Sequence, residues 1–162
     1  MRMQPLVSIP VAAILARKEI SRSGWSLVNW EGVAVLSGER FAAGKARREP
    51  LLECDKGMQY LWDGLRLELY RDAAETYWFN LTGARPSLFI ICQETEGGEI
   101  IPVAVTADHD ASTSAVEADC KVFGVPIPPD VVPQLEEFVM TYFKPEPRRK
   151  RRRQEWSDEE QH

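Results

Sequence analysis

The chain has 162 residues, 44% of them hydrophobic, and a formal charge of −5. That length fits one domain with a real core plus a tail, and no apolar stretch reaches the roughly 18–20 residues that a bilayer span needs. The charge is divided: residues 144–162 carry seven cations and five anions, which leaves −7 on residues 1–143. A dedicated nucleic-acid-binding domain would instead line a folded face with cations.

Leu6 to Leu15 predicts a strand, with Pro10 at an edge or bulge. The same run is a poor secretory signal, because Pro10 interrupts it and only Arg2 precedes it. Ser21 to Gly24 is turn chemistry. Trp25 to Leu36 is rich in aromatic and β-branched residues, with Gly32 as a bulge or break. Phe41 to Pro50 reads as a loop, Leu51 to Cys54 as a short strand and Asp55-Lys56-Gly57 as a turn. Leu65, Leu67 and Leu69 alternate with Arg66, Glu68 and Tyr70, the period-2 pattern of a half-buried strand. Tyr77, Phe79 and Leu81 repeat that alternation and predict another strand after a turn at Arg71 to Ala74.

Gly83 to Pro86 is a further turn. Leu88 to Cys92 is continuously apolar, as in a central strand covered on both faces. Glu96-Gly97-Gly98-Glu99 reads as a hairpin loop, and Ile101, Val103 and Val105 alternate after it. Asp110 to Ala118 predicts a short helix capped by Asp110. Lys121 to Ile127 returns as a strand. Pro128-Pro129-Asp130 opens a last helix, with Val131, Leu135, Phe138 and Tyr142 as its stripe, widened by Val132, Val139 and Phe143. Short turns between strands favour antiparallel pairing. The expected fold is α+β and β-dominated: a curled antiparallel sheet or partly open barrel over residues 1–143, with one short helix and a C-terminal amphipathic helix covering an edge or open end.

Residues 144–162 are expected to be a disordered tail. Arg148-Arg149-Lys150-Arg151-Arg152-Arg153 follows Lys144-Pro145-Glu146-Pro147, and an acidic coda of Glu155, Asp158, Glu159 and Glu160 surrounds Trp156. Like charges repel and nothing apolar is there to bury, so this run has no core of its own. Six clustered cations fit a docking segment for an acidic protein, and Trp156 fits an aromatic anchor. They also fit weaker, salt-sensitive contact with RNA, DNA or anionic lipid. The expected partner-docking residues are Lys144, Arg148, Arg149, Lys150, Arg151, Arg152, Arg153 and Trp156.

No catalytic, cofactor-binding or metal-ligating residue stands out. Cys54, Cys92 and Cys120 are odd in number and far apart, with no CxxC, and read as reduced, buried thiols of a cytoplasmic protein. His109 lies between Asp108 and Asp110, but adjacent side chains diverge and two oxygens with one nitrogen make a thin metal site. A capped turn is the simpler reading, and a His109/Asp108 site in a barrel mouth is the weakest of the alternatives. Ser112, Thr113 and Ser114 lack a GxSxG context and suit the start of a helix. Trp25 and Trp30, read as lying on one side of their strand, suit a β core together with Trp62, Tyr77 and Trp78. Stacking platforms for bases use the same residue types. Asn80-Leu81-Thr82 matches a glycosylation sequon by chance.

Several blocks together resemble a known family. Val7 to Lys18, Trp25 to Leu36, Tyr77 to Leu81, Arg85 to Ile90, Val105 to Asp108 and Val125 to Pro128 follow in order. Phe138-Val139 and Tyr142 to Pro147 complete the series. Together they resemble the proteobacterial family called domain of unknown function 3305. That resemblance implies a cytoplasmic bacterial protein without an established activity, encoded beside molybdenum-dependent formate dehydrogenase. From it we expect a non-enzymatic accessory protein whose partner is a metalloenzyme subunit or maturation factor. The alternative is a weak, sequence-independent nucleic-acid-binding module that uses the basic tail.

Overall fold

A computed structural model of the chain describes residues 4–42, 48–54 and 57–143. The strands are β1 (Val7–Arg22), β2 (Trp25–Ser37), β3 (Arg48–Cys54), β4 (Gly57–Leu69), β5 (Ser87–Glu94), β6 (Ile100–Thr106) and β7 (Lys121–Pro126). The helices are α1 (Ala74–Thr82), α2 (His109–Glu117) and α3 (Val132–Tyr142). One sheet runs β2-β1-β4-β6-β5-β7, with β3 pairing the first half of β4 on the side away from β1. All pairings are antiparallel except β4 with β6, which run parallel and meet at Leu67 and Val105. The sheet is therefore mixed rather than purely antiparallel.

The long β1–β2 hairpin is set by a two-residue turn. Ser23 and Gly24 both have positive φ, at 50° and 82°, the geometry whose twist matches that of the flanking strands. Pro10 sits inside β1 without breaking the ladder to β4. A strand residue's N and O point to the same side, and the Pro10 carbonyl accepts from Gly38 N just past the end of β2. Its missing donor thus faces a side where no strand continues.

Inward positions alternate as period 2 requires: Ile9, Val11, Ala13 and Leu15 in β1, then Leu88, Ile90 and Cys92 in β5. In β4 a bulge interrupts the count. The register slips between Val11 and Ala13, Gly64 takes φ 76°, and Trp62 and Leu65 both face inward although three residues apart. A second bulge, opposite Ile91 and Cys92, lets Pro102 and Val105 face inward, so Val103 points out to solvent. Ala12, Ile14 and Leu61 on the outer face are covered by Phe41 from a single 3-10 turn.

The curl brings the two end strands together. A Cβ placed on Gly32 of β2 would lie 2.6 Å from Phe123 Cβ and 3.1 Å from Val125 Cγ1 of β7. The sheet is thus a nearly closed barrel, sealed at that point by side-chain contact. Gly32 sits at a bulge in the β1–β2 ladder, as expected, and β7 also leaves no room there for a side chain.

One barrel end is plugged. α3 buries Val131, Leu135, Phe138 and Val139 against Leu69, Tyr77 and Ile127. Each such side chain contributes about 1.5–3 kcal/mol of gross transfer free energy. Tyr77 and Phe138 meet edge-on at 5.8 Å. The expected stripe holds except at Tyr142, which is exposed and packs on Phe138.

The predicted strand at Tyr77 to Leu81 is a correction: it is helix α1. Ala74, Tyr77, Trp78 and Leu81 form an i, i+3, i+4, i+7 stripe on the core. The apparent alternation gave Phe79 equal weight, but Phe79 is 60% exposed. The strand before it is longer than the leucine alternation implies, because β4 begins at Gly57. β3 begins at Arg48, within the span read as a loop.

Candidate functional site

The predicted docking residues Lys144, Arg148, Arg149, Lys150, Arg151, Arg152, Arg153 and Trp156 lie outside the described residues. The chain leads into them from Phe143, whose ring packs on Trp78 of α1 at 6.4 Å.

The His109 corner is built as a helix start. The cap is Asp108 rather than Asp110: its Oδ1 accepts from Asp110 N at 2.8 Å and Ala111 N at 3.3 Å. Both bonds satisfy amides that the first helical turn leaves without partners. Ser112 and Thr113 hydroxyls donate to the His109 carbonyl at 2.6 and 3.2 Å, so both are engaged within their own helix. The His109 ring is exposed and stands edge-on to Phe89 at 5.7 Å. It lines a shallow depression of about 540 Å³ with Glu75, Arg85 and Asp110, whereas Asp108 lines a separate one with Tyr77. Asp108 and His109 therefore do not converge on one pocket. No cluster of three or more His, Cys, Asp or Glu with metal-binding geometry exists among the described residues.

Asn80, in the sequon-like triplet, is committed to structure. Its Nδ2 donates to Ser87 O at 2.7 Å and Ala107 O at 2.9 Å, and its Oδ1 accepts from Ser87 N at 2.9 Å. It ties α1 to the start of β5 and the end of β6. Cys92 is fully buried, and burial pushes its thiol up to about 12, with nearby Cys120 adding to the effect. A thiol held protonated is a poor nucleophile. Tyr77 is raised to about 12, again mainly by burial, against the lowering effect of the Tyr70 amide that donates to its hydroxyl at 3.0 Å.

The aromatics divide in a way their types did not reveal. Trp62 and Tyr77 are core, and Trp30 and Trp78 are half-buried against it. Trp25 is 79% exposed. Trp25 pairs with Arg22 and Trp30 with Arg17, an odd separation, so the two tryptophans point to opposite faces rather than one. Beyond Arg17, where the ladder to β4 stops, the hairpin continues as an arm, Lys18–Asn29, with no strand but its own partner paired to it among the described residues. Leu27 is 65% exposed on the same face as Trp25, opposite Ile20.

The barrel end opposite the helices stays open. Its mouth is a cleft of about 660 Å³ between β1, β2, β7 and the β5–β6 turn. Trp30, Phe123, Val28 and Ile100 give it apolar walls; Arg17, Asn29, Lys121, Glu94 and Glu99 supply polar groups. Tyr60 continues the aromatic surface inward, 6.5 Å from Trp30 and 6.1 Å from Trp62. Trp30 Nε1 is buried without a hydrogen-bond partner among the described residues. No motif in the sequence marks this site. Its one legible signal was Arg17, which follows Leu15 on the inward side of a strand.

The family model described as "Protein of unknown function (DUF3305)" matches residues 10–152. The chain belongs to the DUF3305 family. The match covers every strand and helix except the first three residues of β1. No curated protein and no solved structure matches the chain.

No helix among the described residues is long and apolar enough to cross a membrane.

Proposed function

We propose that this DUF3305 protein is a non-enzymatic accessory protein of the cytoplasm that works by binding other proteins. The observation that supports this most directly is the β1–β2 arm. It extends past the rest of the sheet and leaves Trp25 and Leu27 uncovered. Large aromatic and aliphatic side chains on a projecting element are typical anchors of an interface. The basic segment Arg148 to Arg153 and Trp156 extend the docking surface. The partner is an assembly or maturation component of a molybdenum-dependent formate dehydrogenase, in keeping with the genomic neighbourhood that the family resemblance implies.

The test is affinity capture from the native bacterium with full-length protein, nuclease present. The variants are Trp25→Ser with Leu27→Ser, and Arg148 to Arg153 neutralised to Gln. Formate dehydrogenase subunits captured by the native chain and lost with the arm variant support the reading. Their loss with the neutralised tail assigns docking to the tail as well. Capture limited to ribosomal or nucleoid proteins, abolished by nuclease, rejects it in favour of nucleic-acid binding through the tail.

A further inference from the structure

We propose that the open barrel mouth is a binding site for a small organic anion with an apolar body, held by Arg17 and Lys121 over the walls formed by Trp30 and Phe123. The inference concerns a ligand of the barrel and does not depend on which protein the arm and tail engage.

Arg17 carries the argument. The inward side of β1 reads Ile9, Val11, Ala13, Leu15, Arg17: four apolar side chains, then a guanidinium where the pattern calls for another apolar one. A local rule broken on an otherwise consistent strand marks function more often than fold. Arg17 is half-buried, and its cross-strand neighbours are Trp30 on β2 and Met58 on β4, neither of which is an acid. A half-buried guanidinium set beside aromatic walls is better stabilised when an anion joins it.

Lys121 supplies a second cation from across the cleft. It pairs with Cys92, which faces inward, so Lys121 shares that face at the rim. The cleft's two carboxylates oppose anion binding to different degrees. Glu94 is on the exposed rim, where water screens it, whereas Glu99 is half-buried and opposes an anion more strongly.

The apolar body follows from the walls. Trp30, Phe123, Val28 and Ile100 line the cleft, and Trp30 Nε1 in the wall is a buried donor with no hydrogen-bond partner among the described residues. The volume of about 660 Å³ is that of a site for a small organic molecule, and barrel mouths are a common place for one. The opposite end is filled by α3, so this is the end at which a ligand enters.

The experiment is a fluorescence titration of the full chain with 8-anilinonaphthalene-1-sulfonate, beside the uncharged N-phenyl-1-naphthylamine. The sulfonate is expected to bind saturably and one-to-one, and the neutral probe at least about tenfold more weakly, the range expected of a charge-assisted contact. Arg17→Met keeps length and apolar contact while removing the charge; it should weaken the sulfonate about ten- to a hundredfold and leave the neutral probe unchanged. Lys121→Met, at an exposed position, gives the same direction with a smaller loss, and serves if Arg17→Met fails a circular-dichroism check of folding. Glu94→Gln should tighten binding about two- to threefold. Absence of saturable binding by the native chain overturns the proposal. So does sulfonate affinity unchanged in both cation variants, or binding lost with Trp25→Ser and Leu27→Ser, which would place the probe on the arm.

Discussion

Substituting Gly32 by Ala tests whether β2 and β7 meet as described. The new Cβ would stand 2.6 Å from Phe123 Cβ and 3.1 Å from Val125 Cγ1. Carbon atoms in contact sit at about 3.5–4.0 Å, so relief needs a displacement on the order of 1 Å. Neither Cβ can rotate away, since each is fixed by its own backbone, and one strand must move. Overpacking of this kind costs about 1–3 kcal/mol. Against it stands a gain of roughly 0.5–1 kcal/mol from replacing glycine within a strand. The expected net loss is about 1–2 kcal/mol, read as a lower urea midpoint at constant slope. In a thermal melt it is a fall of roughly 2–8 °C. The sign is decisive. If the two strands did not touch, Gly32→Ala would be neutral or stabilising, and that result would refute the barrel closure. Gly98→Ala is the control, since at φ 83° with nothing within 4 Å it carries backbone strain alone; it should cost about 1–2 kcal/mol and leave the seam intact.

Asn80→Ala removes three hydrogen bonds that join α1 to β5 and β6, leaving half-buried backbone groups unpaired. The expected loss is about 2–3 kcal/mol by urea denaturation, and a loss under 0.5 kcal/mol would contradict the bridging role. Asp108→Ala should cost about 1 kcal/mol as a lost N-cap, with Asp108→Asn retaining most of it; equal losses for the two would point to charge rather than capping. Cys92 and Tyr77 are both raised to about 12 from 9.0 and 10.0. In the unfolded chain they ionise first, so their contribution to stability is complete below about pH 9 and is lost as pH rises towards 12. Stability followed from pH 8 to 12 should fall, and Cys92→Ala should flatten the part of that fall that begins near pH 9. In the folded protein at pH 8, Cys92 should resist iodoacetamide and react on unfolding. Trp25→Ser, at a position already 79% exposed, should change stability by less than about 0.5 kcal/mol, whatever it does to partner capture.

The strands were legible where one physical rule acted alone. Alternation around Leu65, Leu67 and Leu69, the apolar run Leu88 to Cys92, and the stripe Val131, Leu135, Phe138 depend on local period, which the order of residues carries directly. The uneven charge, −7 on residues 1–143 and +2 on 144–162, is likewise read directly from the order of residues. Tertiary structure decided what local period leaves ambiguous. Tyr77 to Leu81 satisfies both a period of 2 and one of 3.6, and only the core under Ala74, Tyr77, Trp78 and Leu81 selects the helix. The bulges at Gly64 and Val103 shift the inward phase mid-strand, which no alternation count anticipates. Trp25 and Trp30 are the same residue type five positions apart, yet one is on a free arm and the other in a barrel wall, because the ladder to β4 stops where Arg17 begins the mouth. The open cleft is likewise a product of closure: it gathers Arg17, Trp30, Glu94, Lys121 and Phe123 from strands far apart in the chain, and only the curl that presses Gly32 against Phe123 brings them together.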